Sequence, residues 1–369
     1  MKRFILTLAS LCLIGNIWAY DFTVNGIYYK INSMDTNTVE VTDSLCATSK
    51  LSGNPSLSGS YSGDVVIPAS VVYGEKIYSV SYLTYSAFNY SNGLTSLTIP
   101  STVTYIDAYD GYSYPSAYGA NSFYNCTNLS SINVEPGSKS FCSIDGILFS
   151  KDSTKIIVYP IGKEGRTYTI PSKVDRIYCC AFENTSLTSI IIPKTVTSIW
   201  YAAFRGCSKL DSITINSDSL SIELQAFSRC KSLKQITCNT ILPPTCISSD
   251  ADIIFGTDEL SKAQIYAQAK LSVPQASLKL YQLMNPWKNF YIESVAKLTN
   301  SLANEVKLSV QNNLIIIKGV QRNERITVYS SQGLIIYKGK ATGDEMIFSV
   351  SAHGVYVVKI GKESFKVIY

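Results

Sequence analysis

Apolar residues recur through the middle of the chain with a period near 23. Phe182, Phe204 and Phe227 are 22 and 23 residues apart, and Leu187, Leu210 and Leu233 are 23 and 23 apart. One unit reads Leu187-x-x-Ile190-x-Ile192-Pro193-x-x-Val196-x-x-Ile199 and continues as Ala203-Phe204-x-x-Cys207. Leu94, Leu97, Ile99, Pro100, Val103 and Ile106 repeat its first half, and Phe123, Cys126, Leu129 and Ile132 repeat its second. An Ile-Pro step occurs at Pro68, Pro100, Pro171 and Pro193. The alternating end of Leu-x-x-Ile-x-Ile is the pattern of a short strand with one buried face. The proline ends each ladder, because it has no N–H to donate.

Leucines at this spacing, with a period of about 20–29, predict a leucine-rich repeat solenoid, whose coils bury their apolar ring only by stacking on one another. The repeats extend over residues 63–246. From Leu94 to Leu129 is 35 residues, twelve more than one coil, and from Leu129 to Leu187 is 58, two coils and twelve more. These excesses place insertions near 107–121 and 143–168. Cys126, Cys207 and Cys230 each lie three residues after a Phe (Phe123, Phe204, Phe227) and three before a Leu (Leu129, Leu210, Leu233). A cysteine recurring at one place in a repeat reads as a small buried filler. Together with Phe123, Phe182, Phe204 and Phe227, these three are expected to form the structural spine as reduced thiols.

Both flanks differ from the repeat. Residues 20–62 carry strand-like runs at Phe22–Val24, Ile27–Ile31 and Thr38–Val41, an N-terminal β cap for the first coil. Residues 247–297 are expected to close the other end, with a strand at Lys262–Tyr266, helical spacing over Pro274–Leu283, and Trp287 and Phe290 in the core. From 301 to 369 seven short runs separated by turn residues predict a small C-terminal β-sandwich. They are Val306–Val310, Leu314–Lys318, Ile326–Ser330, Leu334–Lys338, Met346–Val350, Gly354–Ile360 and Ser364–Ile368. The fold class is mainly β.

Residues 1–19 read as a signal peptide: Lys2 and Arg3, an apolar run from Phe4 to Trp18, and Ala19 before Tyr20. Leu11 precedes Cys12 where an acylated cysteine wants a small residue, which favours ordinary export. No later run of ~20 apolar residues offers a transmembrane segment. Export allows disulfides, but the ten cysteines less Cys12 leave an odd nine. Cys179 with Cys180, and Cys238 with Cys246, are the pairs that could bridge.

The repeat resembles the BspA-like leucine-rich repeat family of bacterial surface proteins. The resemblance rests on Ala-Phe-x-x-Cys-x-x-Leu at 203–210 and 226–233, with a variant from Ser122, and on Ser143-Ile-Asp-Gly-Ile-Leu-Phe149 followed by Lys155 to Pro160, similar to a hairpin insertion of that family. Cys180 before Ala181-Phe182, and Thr185 in place of the usual Cys, depart from it. Ile326 to Tyr337 and Gly354-Val-Tyr-Val-Val-Lys-Ile360 resemble the C-terminal sorting domain of type IX secretion substrates. These resemblances imply a non-enzymatic, exported protein of the bacterial cell surface, outer membrane or extracellular space, adhesin-like, that binds a protein or glycan ligand.

Composition narrows the alternatives. Hydrophobic residues are 46% and charged residues 16% of the chain, enough apolar content for a core. The formal charge is +5, or +3 once Lys2 and Arg3 are removed, with no run of like charges to suit nucleic acid. The single histidine, His353, excludes catalysis shared between two imidazoles and most zinc sites. Asp250, Asp252, Asp258 and Glu259 lack EF-hand spacing and read as a solvated acidic turn. No phosphate loop, Gly-x-Ser-x-Gly or His-Glu-x-x-His occurs, so no cofactor, metal or catalytic residue is assigned. The competing functions are a glycan-active hydrolase using an Asp/Glu pair and a ligand-free structural protein of the envelope.

Tyrosine marks the candidate binding segment. Tyr73 to Tyr124 holds 11 Tyr in 52 residues, where the chain-wide frequency of 26 in 369 gives about 4. Tyr109, Tyr112, Tyr114 and Tyr118 fall in the first insertion, among Gly, Ser, Pro and Asp. Such tyrosines offer flat apolar faces and hydroxyls at low entropic cost. They are expected to contact a glycan or protein partner; the alternative is that the loop packs its rings on the adjacent coil.

Overall fold

The computed structural model describes residues 20–44, 59–84, 87–106, 122–247, 251–295, 307–311, 314–318, 320, 323–343, 345–350, 354–361 and 363–368. The proposed signal peptide and the 107–121 insertion lie outside the described residues.

From Thr167 to Cys246 each coil contributes one strand to each of two sheets in which the coil strands pair in parallel. Ser189–Ile192, Ser212–Ile215 and Gln235–Cys238 pair in register, Ile190 against Ile213 against Ile236. Their alternating burial follows the apolar alternation of the sequence. Thr167–Thr169 extends this sheet on one side, and Lys270–Pro274 and Tyr291–Val295 on the other. The second sheet stacks two-residue strands, Arg176–Ile177, Ser198–Ile199, Ser221–Ile222 and Thr245–Cys246, with Ile177, Ile199, Ile222 and Cys246 in line.

The third side of each coil turns around a buried phenylalanine. Ring centroids are 5.4 Å apart for Phe88 and Phe123, 4.9 Å for Phe182 and Phe204, and 5.3 Å for Phe204 and Phe227, all stacked. Tyr159 takes the phenylalanine's place one coil earlier: it stacks 5.1 Å from Phe182, and its N–H donates to Ala181 O as the N–H of Phe182 does to Ala203 O. Left-handed residues flank three of these rings two positions to each side: Cys180 and Asn184, Ala202 and Gly206, Gln225 and Arg229. Turning in so few residues requires that conformation, which suits Gly and Asn best.

Phe141–Ile144, Ile147–Ser150 and Lys155–Val158 form antiparallel pairs, and the last joins Arg176–Ile177 in parallel. The Asp145-Gly146 turn, with φ of 52° and 71°, is the pair a tight two-residue hairpin demands. The hairpin is a seam between two cores. Ile147 and Phe149 belong to the core of the following coils, whereas Leu148 between them faces the core of the preceding ones. Alternation across one strand thus serves two cores.

At the N-terminal end Phe22–Val24, Ile27–Ile31, Thr38–Thr42, Lys76–Leu83 and Ser70–Tyr73 are ordered as one sheet, which Tyr105–Ile106 also joins. At the far end the strand expected at Lys262–Tyr266 is instead part of a helix, Glu259–Gln268. Asp258 caps it by accepting from Ser261 N at 2.8 Å. Lys262 and Ile265, three apart, are buried on one side of it. Trp287 is buried and donates from Nε1 to Pro244 O at 2.9 Å.

Beyond it, Lys307–Gln311, Leu314–Lys318 and Glu345–Ser349 form one antiparallel sheet. Ile335–Lys340, Arg325–Tyr329, Val355–Ile360 and Glu363–Ile368 form another. Ile315, Ile317 and Phe348 of the first meet Ile326, Val328 and Val358 of the second in one core.

Candidate functional site

The segment between each two-residue strand and the phenylalanine turn gathers aromatic and charged side chains on one flank of the solenoid. Immediately after the strand isoleucines come Tyr178, Trp200 and Glu223, held in a ladder in which Tyr178 N, Trp200 N and Glu223 N donate to Ile156, Ile177 and Ile199 O. Tyr178 and Trp200 stack with centroids 4.5 Å apart and are half-buried. Glu223 accepts from Tyr201 N at 3.0 Å, and burial pushes its carboxyl up.

A second row follows the phenylalanines. Glu183 and Arg205 come directly after Phe182 and Phe204 and form a buried ion pair, with Nε and Nη2 of Arg205 at 2.7 and 2.6 Å from Glu183 Oε1. Burial pushes the Glu183 carboxyl up, and the guanidinium opposes this. Burial likewise works against the Arg205 cation, but the carboxylate more than offsets it and holds the guanidinium charged. Arg205 lies over the Tyr201 ring, 5.8 Å from its centroid. Tyr124 follows Phe123, meets Tyr90 edge-on at 5.4 Å, and has its hydroxyl pushed up by burial and by Glu183. Tyr82 and Tyr105 stack at 4.8 Å where the chain enters the 107–121 insertion. The flank therefore offers half-exposed rings on a rigid ladder, with its strongest charges neutralised inside. Among the described residues no group of three His, Cys, Asp or Glu side chains could hold a metal ion.

Cys126, Cys207 and Cys230 are buried beneath this flank, and their thiols donate to Phe88, Phe182 and Phe204 O at 2.8, 3.0 and 3.2 Å. Each thiol thus ties its coil to the phenylalanine carbonyl of the coil before. Thr185, at the cysteine position of its coil, is buried with Oγ1 3.3 Å from Cys207 Sγ. Phe123, Phe182, Phe204 and Phe227 are all buried. None of the eight cysteines among the described residues, which include Cys179, Cys180, Cys238 and Cys246, is in a disulfide. Tyr109, Tyr112, Tyr114 and Tyr118 lie outside the described residues. Sequence reasoning missed Tyr178, Trp200, Tyr201, Glu183 and Arg205. Their positions recur with the repeat but their chemistry does not, so aligning apolar residues passes over them.

Residues 115–164 and 162–270 match the family model of the BspA type leucine rich repeat region, in six copies. Over these residues the coil stack is similar to a BspA-type leucine-rich repeat region. Of the solved structures, a leucine-rich repeat protein from Eubacterium ventriosum is 22% identical, with a TM-score of 0.42, covering 58% of this chain and 49% of its own. The chain thus spans about half the length of that protein. A leucine rich cell surface protein from Faecalibacterium prausnitzii is 20% identical, with a TM-score of 0.35, covering 75% of this chain and 95% of its own. No curated protein gives a match. No helix among the described residues is long and apolar enough to cross a membrane.

Proposed function

We propose that the protein is a non-enzymatic, exported surface protein whose BspA-type scaffold binds a protein or glycan ligand, in the manner of an adhesin. The half-exposed aromatic ladder of Tyr178, Trp200 and Tyr201 carries this reading, because it is fixed by backbone pairing in successive coils. Rigid aromatic faces beside a carboxylate give contact area without ordering cost, which is what a recognition surface needs. Tyr109, Tyr112, Tyr114 and Tyr118 of the 107–121 insertion are proposed to contact the same ligand. Residues 1–19 direct export, and the 301–369 sandwich delivers the protein to the cell surface as a sorting-type domain. Glu183 is paired with Arg205 and Glu223 accepts from Tyr201 N, whereas hydrolysis by two carboxylates needs both facing one cleft.

The test is a glycan and matrix-protein array probed with the full chain, and with a variant carrying Tyr→Ser changes at 109, 112, 114 and 118. A second variant carries Tyr178→Ser and Trp200→Ser. Retention of a ligand by the full chain, with its loss in either variant at an unchanged melting temperature, supports the reading. Binding that survives in both variants, or steady release of product from a polysaccharide, overturns it.

A further inference from the structure

A cavity of about 200 Å³ opens where the last coils meet the sandwich. Leu220, Leu242, Pro243, Leu280 and Met284 form its solenoid wall. Tyr329, Ser330, Gly333 and Ile335 close it from the sandwich. Gly333 has a φ of 77°, and a Cβ there would stand 3.4 Å from Met284 Cε, so the turn lies against the solenoid with little room to spare. The walls are mostly apolar, and an apolar cavity of about 150 Å³ is known to take up a benzene ring. Ser219, Thr245, Tyr329 and Ser330 add hydroxyls to the lining, and Asp218 adds a charge. Asp218 lies at the lining with its side chain partly exposed, and its partner Lys359 holds Nζ at 3.7 Å from Oδ2. That separation is too long for a hydrogen bond and leaves the carboxylate able to receive a second ammonium.

We infer that this junction cavity binds a small primary amine carried on a monocyclic or short apolar body. The body fills the space between Leu242, Met284 and Ile335, and the ammonium donates to Asp218. Because the walls come from both units, the occupied cavity holds the sandwich against the solenoid.

Ligand-observed NMR and thermal shift on the full chain, with phenethylamine, toluene and phenylacetate as probes, test the assignment. Phenethylamine should bind and raise the melting temperature, and phenylacetate should not. Asp218→Asn should weaken phenethylamine about tenfold while leaving toluene unchanged, and Lys359→Met should tighten phenethylamine by removing its competitor. Leu242→Trp, or Ile335→Trp should the first fail to fold, should abolish binding of both neutral and amine probes. Failure of phenethylamine to bind, equal binding of phenethylamine and toluene, or binding that persists in a folded tryptophan variant overturns it.

Discussion

Arg205 donates from Nε to Oε1 of Glu183 across 2.7 Å, although the two are 22 residues apart. Each directly follows the phenylalanine of its coil, so stacking places an acid and a base at one repeat position in neighbouring coils. Both are buried, and the pair joins those coils outside the apolar core.

Removing one partner therefore harms more than removing both. Arg205→Met leaves a buried carboxylate and should cost about 3–5 kcal/mol, with the Glu183→Gln, Arg205→Met double variant milder. Burial already raises the Glu183 carboxyl, and without the guanidinium it rises further. A carboxyl raised on folding contributes stability that is present at low pH and lost as pH rises through the folded value. Urea denaturation of Arg205→Met should accordingly show a larger deficit at pH 8 than at pH 5. An equal deficit at both would contradict this.

Cys207 connects two coils through its thiol and fills the space between them. Cys207→Ala should cost roughly 1–2 kcal/mol, below the loss for a larger apolar residue. Burial pushes the Cys230 thiol well up, which suppresses thiolate. Native alkylation should spare Cys230 until the protein unfolds, and non-reducing peptide mapping should find no Cys207–Cys230 link.

Two residues at one turn position should respond in opposite directions. Gly206 and Arg229 both lie two residues after a phenylalanine, with φ of 73° and 61°. A Cβ on Gly206 would also fall 2.0 Å from Asn184 Oδ1, so that side chain must move. Gly206→Ala should lose about 1 kcal/mol. Arg229 is exposed and pays the left-handed strain, so Arg229→Asn should gain on the order of 0.5–1 kcal/mol. Melting temperatures that move the same way would refute the shared turn geometry.

The repeat was legible because each coil obeys one packing rule, and the rule writes Leu, Ile and Phe at fixed intervals. Tyr159 escaped it: tyrosine occupies the phenylalanine position there, and the hairpin before it hides the period. Lys262–Tyr266 misled for a different reason. In Lys-Ala-Gln-Ile-Tyr nothing apolar recurs strongly at either period, and the deciding signal was the cap at Asp258, read only as part of an acidic turn. The Glu183–Arg205 pair was illegible because complementarity across 22 residues has no signature within either coil.

Acid should loosen one end of the seam hairpin. Asp152 Oδ1 accepts from Ser150 Oγ at 2.6 Å, Thr154 N at 3.1 Å and Thr154 Oγ1 at 3.0 Å, and the Ser150 hydroxyl is the main cause of its carboxyl falling to about 2. A depressed carboxyl contributes stability above its unfolded value that is lost as pH falls toward the folded one. Its NMR titration midpoint should lie near 2, and Asp152→Asn should speed amide exchange at Thr154. A midpoint near 4 would show that these bonds do not form.

The aromatic ladder should transmit stability only as far as its stacking is continuous. Phe204 lies between Phe182 and Phe227, at 4.9 and 5.3 Å, within one core. Phe88 lies in the other, on the far side of the hairpin that carries Leu148. Truncating Phe204 to Ala should cost about 3–5 kcal/mol. Neighbouring rings share the cavity so created, so Phe204→Ala with Phe227→Ala should depart from additivity by 0.5 kcal/mol or more. Phe204→Ala with Phe88→Ala should be additive, because coils couple only to their neighbours and three others intervene, the seam hairpin's among them. Hydrogen exchange in Phe204→Ala should then quicken through Phe182–Cys230 before it reaches the strands at Phe22–Thr42. Coupling between Phe88 and Phe204 as strong as that between Phe204 and Phe227 would mean that the seam joins the two cores rather than dividing them.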